Sequence, residues 1–154
     1  MADIPYANAT SDGKAREETA RMLQRLGCAA VGFMDDYVEK RVQLVFKHRG
    51  RQMCLHASSA GWAAMFLKAN PWTPRRRYTK EQWETRALNQ GGIAVSSILR
   101  DWVKGQVMAI ETGVMSFEQA FLPYMLTKHG KTVGELLEAN PSLLQIEGPA
   151  DAKD

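Results

Sequence analysis

Four residues on short apolar runs have the atoms that chemistry most often uses: Cys28, His48, Cys54 and His56. If neighbouring strands brought them together, two thiolates and two imidazoles would suit the tetrahedral preference of Zn²⁺. The compact C-x₂-C spacing of zinc sites is missing, and isolated His and Cys on strands ordinarily serve packing. No metal and no other cofactor is therefore expected. Cys54 and His56 occupy alternate positions of one strand and share a face, yet no third group orients them as a nucleophile and its base.

Two other chemistries fail on residue type. The order helix, three strands, helix is that of restriction-type nucleases, whose metal needs hard carboxylate oxygens on the second and third strands. Those strands, 41–48 and 51–57, contain no acid, and Asp35, Asp36 and Glu39 precede them. Gly91-Gly92 is followed by Ile-Ala-Val, without the Lys-Ser/Thr that completes a phosphate-cradling loop. No catalytic residue is assigned, and the chain reads as a non-enzyme.

Charge is the stronger signal. Between Lys40 and Lys80 stand ten Lys and Arg residues and no Asp or Glu; the whole chain has 20 and 17, so the flanks hold ten against seventeen. A net charge of +3 thus conceals a strongly basic segment joined to acidic flanks, a field suited to steering a polyanion or an acidic protein surface. Arg49 and Arg51 flank a hairpin tip, Arg41 and Lys47 point off a sheet face, and Arg75, Arg76 and Arg77 lie in a linker between Trp72 and Tyr78, just before Lys80. Guanidinium forks match phosphate geometry, and interleaved aromatics stack on unpaired bases. These ten residues are the expected nucleic-acid contacts. The bland alternative is a solvated loop in which Arg75–Arg77 pair with Glu81 and Glu84 while Trp72 closes the helix entrance as a hydrophobic staple.

The elements that must position these residues are legible from periodicity. Helical spacing of Ala15, Thr19, Met22, Leu23 and Leu26, bounded by Thr10 or Ser11 and by Gly27, predicts a helix over 12–26. Runs 28–34, 41–48 and 51–57 read as an antiparallel meander, with Val42, Leu44, Phe46, Met53, Leu55 and Ala57 facing a core. A second helix opens at Ser58 or Ser59, packs back onto the sheet and stops before Pro71. Thr79 with Gln82 caps a long helix, and Ser116 with Gln119 and Thr132 with Glu135 cap two shorter ones. The fold class is α+β: an N-terminal helix, a three-stranded antiparallel meander, then an all-helical second half. One domain is expected over 1–140, comprising an α-β-β-β-α unit at 12–70 and a helical part at 79–139, with a loose tail at 141–154. Gly91-Gly92 and Gly105 would let the long helix pair with its copy in a homodimer. Neither a signal-peptide pattern nor a membrane-length apolar run is present, and the cysteines suit a reducing compartment, so a cytoplasmic location is expected.

The topology is also that of double-stranded-RNA-binding domains. Their lysine-rich second-helix start is replaced here by SSAGWAAMFLKAN, which leaves a likeness of outline only.

Glu111, Gly113, Phe117, Glu118, Phe121, Gly130, Thr132, Val133 and Gly134, within residues 98–137, resemble a segment of small proteins encoded by tailed bacteriophages and prophages, a group without a settled activity. In these a long helix ends in a Glu-x-Gly turn, followed by a Phe-Glu helix and a turn into a last helix. The resemblance implies a bacterial or viral cytosolic accessory, acting in DNA processing or interfering with a host system. It carries over no catalytic residues. The expected function is therefore a non-enzymatic nucleic-acid-binding accessory protein, with binding of an acidic host protein or defence complex as the alternative.

Overall fold

The computed structural model describes residues 2–144, so most of the expected tail lies outside the described residues. In chain order the elements are α1 (Asp12–Leu26), β1 (Ala30–Asp36), β2 (Arg41–His48), β3 (Arg51–Ser58), α2 (Ser59–Ala69), α3 (Lys80–Glu111), α4 (Phe117–Phe121) and α5 (Val133–Ala139). Ser11 caps α1 by accepting from the Lys14 N–H, and Gly27 ends it in the left-handed region at φ 107°. The strands form one antiparallel sheet in the order β1-β2-β3.

β1 begins two residues later than its apolar run suggests and continues through Asp35 and Asp36. Cys28 closes the end of α1 by donating to the Leu23 carbonyl at 3.0 Å. At the other end Asp35 pairs with Arg16 at 2.7 Å and Asp36 lies 3.7 Å from Arg41, so neither acid is forced out of the ladder.

Val42, Leu44, Phe46 and Met53 are fully buried and share one core with Leu99, Val103 and Val107 of α3 and Phe117 and Phe121 of α4. Phe46 meets Phe121 edge-on, with centroids 5.2 Å apart. Apolar residues at every second strand position supply this face, and Lys47 and His56 on the opposite face are exposed.

Helix α2 lies against the first half of α3 and not back on the sheet. Its start meets α3 where a Cβ on Gly91 would stand 2.6 Å from the Ser59 carbonyl oxygen, and its end meets α3 where the Trp83 indole donates to the Asn70 carbonyl at 2.9 Å. Gly91 thus serves a contact within the chain. Gly105 has open space around it.

The first residues form a docked strap. Ala2 and Asn70 exchange hydrogen bonds of 2.7 and 3.1 Å, Trp62 donates to the Pro5 carbonyl at 3.0 Å, and the Tyr6 hydroxyl donates to Asp101 at 2.6 Å. That last bond raises the Tyr6 pKa above its ordinary value by favouring the neutral phenol beside a carboxylate. No helix among the described residues is long and apolar enough to cross a membrane.

Candidate nucleic-acid interface

Pro71 and Pro74 keep residues 71–78 out of a helix, and the capping box of Thr79 and Gln82 fixes where α3 starts. Between these limits the linker is tightly built. The Trp72 indole N–H donates to the Tyr78 carbonyl at 2.6 Å, closing the loop upon itself. Arg76 donates its backbone N–H to Thr73 and its side-chain Nε to the Pro71 carbonyl, both at 3.0 Å, and its guanidinium lies 4.0 Å from the centroid of Trp83. Tyr78 stacks on Trp83 at 5.9 Å, and Arg86 covers Tyr78 at 4.4 Å. The ladder continues inward through Phe66 to Trp62, with centroid separations of 5.7 and 5.5 Å.

The three linker arginines therefore divide by role. Arg76 buttresses the loop through a cation–π contact and a carbonyl. Arg75 and Arg77 are exposed and, like Arg76, make no ion pair among the described residues; Glu81 and Glu84 do not neutralise them. Lys80 is exposed in the first turn of α3. Arg86, outside the acid-free window, is the neighbouring cation of this cluster that charge counting missed. Its spacing of three residues from Trp83 placed both on one helix face and was the available signal.

The chain matches no family model, no curated protein and no solved structure.

The hairpin carries a second group of cations. Arg49 and Gly50 take φ of 49° and 77°, the paired positive values of a tight two-residue turn whose twist suits the flanking strands. Lys47 and Arg49 are exposed and unpaired among the described residues. Arg51 is partly neutralised by Glu118 at 3.6 Å, and Arg41 by Asp36. His48, on the core side, stacks on Phe117 at 4.0 Å; burial and then the charge of Arg49 lower its pKa.

The two basic groups do not merge. Arg76 marks the start of α3 through Trp83. The hairpin tip lies at the far end of α3: His48 comes within 3.8 Å of a Cβ placed on Gly27, and Arg25 nearby pairs with Glu111 at 2.9 Å. From Trp83 to Glu111 a helix rises roughly 40 Å.

The sulfur and nitrogen groups do not converge either. His48 faces the core side of the sheet, whereas Cys54 and His56 share the other side, Sγ to Nε2 3.7 Å apart. Cys28 is buried at the end of α1, and burial pushes its thiol up to about 11. No group of three metal-ligating side chains occurs among the described residues.

Proposed function

We propose that this protein is a non-enzymatic accessory that binds nucleic acid through phosphate contacts, with Arg75, Arg77 and Lys80 as the principal site and Lys47 and Arg49 as a second. The observation that carries this reading is the pair of exposed, unneutralised guanidinium groups on a loop braced by Trp72, Arg76, Tyr78 and Trp83. A braced loop loses little conformational entropy on binding, so each phosphate contact retains more of its free energy. Arg76, Trp72 and Tyr78 contribute by holding the loop. Arg41 and Arg51, each beside a carboxylate, are secondary contacts. The resemblance of residues 98–137 to small phage proteins supports an accessory role in a bacterial or viral setting.

Fluorescence anisotropy with labelled DNA and RNA tests the reading. Log affinity should fall linearly with log salt, as displaced counterions require, and should drop when Arg75 and Arg77 are reversed in charge.

A second reading, docking on an acidic host protein or defence complex, is favoured by the β1–β2 turn. Tyr37 and Val38 are 83% and 87% exposed there, next to Lys40. Apolar side chains held out in a hydrogen-bonded turn suit a protein partner better than a phosphate backbone. Recovery of a partner after nuclease treatment would favour it.

A further inference from the structure

We infer that the partner is a nucleic-acid duplex that bridges the linker and hairpin clusters at once and is held by its phosphates, not by stacked bases; this rests on the function proposed above. Proteins that grip single strands offer aromatic faces to the bases. At the basic linker the aromatic rings are already engaged. Trp83 is 5% exposed and lies under Arg76, Tyr78 stacks on Trp83 and also carries Arg86, and Trp72 is half-buried with its indole N–H committed to Tyr78. What the loop presents to a partner is Arg75, Arg77 and Lys80.

The second observation is the separation. Both clusters are fixed to one body, because β2, β3 and α3 share a core and the linker is pinned to Trp83 at the start of α3. Their separation along α3, roughly 40 Å, is the length of about 12 base pairs at 3.4 Å each. A duplex of that length is stiff on this scale and can meet both clusters without being ordered first, so the second contact is made at high effective concentration. A flexible single strand of the same charge would have to be straightened.

The test is an anisotropy series at one fixed salt with duplexes of about 6, 12, 18 and 24 base pairs and single strands of equal length. Affinity should step up by about tenfold or more between the 6- and 18-base-pair duplexes, beyond the few-fold gain from extra registers. In Lys47→Gln/Arg49→Asn, where Asn tolerates the left-handed turn position, the step should vanish. A purely gradual rise with length, or tighter binding of the single strands, overturns the bridging inference and leaves the phosphate-binding function standing. No binding at any length overturns both.

Discussion

The Arg76 guanidinium covers the indole of Trp83, 4.0 Å from its centroid, while the Arg76 Nε donates to the Pro71 carbonyl at 3.0 Å. One side chain thus ties the proline-rich linker to the first turn of α3. Arg76→Ala should destabilise the fold by about 1 kcal/mol, whereas Arg75→Ala and Arg77→Ala should each stay within about 0.5 kcal/mol of the parent. Urea unfolding monitored by tryptophan fluorescence separates the three variants. Equal and negligible effects would show that the loop is not braced by Arg76.

Two glycines of α3 should respond to alanine with opposite signs. At Gly91 an added Cβ would meet the Ser59 carbonyl oxygen at 2.6 Å, so α2 must move and the cost should be about 2 kcal/mol. At Gly105 nothing lies within 4 Å, and Gly105→Ala should stabilise the helix by about 0.5–1 kcal/mol. Thermal melts of the two variants check both signs.

Much of this was readable in advance, and the parts that were not share a cause. The alternation of Val42, Leu44 and Phe46 and the three capping boxes fixed the strand faces and helix starts, because those signals are local. The docking of α2 on α3 was not legible, since it depends on Gly91 meeting a carbonyl 32 positions away. Nor was the strap, where Asn70 and Gln90 hold backbone groups of Ala2, Tyr6 and Ala9. At the candidate interface the acid-free window located the cations. It could not separate Arg76 from Arg75 and Arg77, because charge counting does not see the ring beneath one of them.

Removing Asn70 should release the strap. Asn70 is 2% exposed, and its side chain accepts from the Ala2 N–H at 2.7 Å and donates to the Ala2 carbonyl at 3.1 Å. Asn70→Ala should cost about 1–3 kcal/mol and accelerate hydrogen exchange at residues 2–9 ahead of the core. Unchanged exchange there would mean that Trp62, Gln90 and Asp101 hold the strap without Asn70.

Stability should decline in mild acid. His48 and His56 both have pKa values below the ordinary imidazole value of 6.5, each chiefly through partial desolvation against the surrounding protein. As pH falls through 6.5 the unfolded chain gains protons that the folded chain resists, so stability is fully present above that pH and is lost on approach to the depressed folded values. His48→Gln should flatten this dependence in urea titrations between about pH 7 and 5 and leave the share due to His56. It should also lower stability at neutral pH by about 1 kcal/mol through loss of the Phe117 stack. An unaltered slope would assign the pH dependence elsewhere.

The most direct measurement is an anisotropy titration of an 18-base-pair duplex against the parent and the Arg75→Glu/Arg77→Glu variant, at low and near-physiological salt, with Arg76 left in place and folding checked by circular dichroism. Tight binding by the parent that weakens steeply with salt, together with loss of at least about tenfold in the folded variant, is the predicted result. Binding that ignores salt and survives the double charge reversal would contradict a phosphate-contacting role for the linker, and no binding by the parent would contradict nucleic-acid recognition itself.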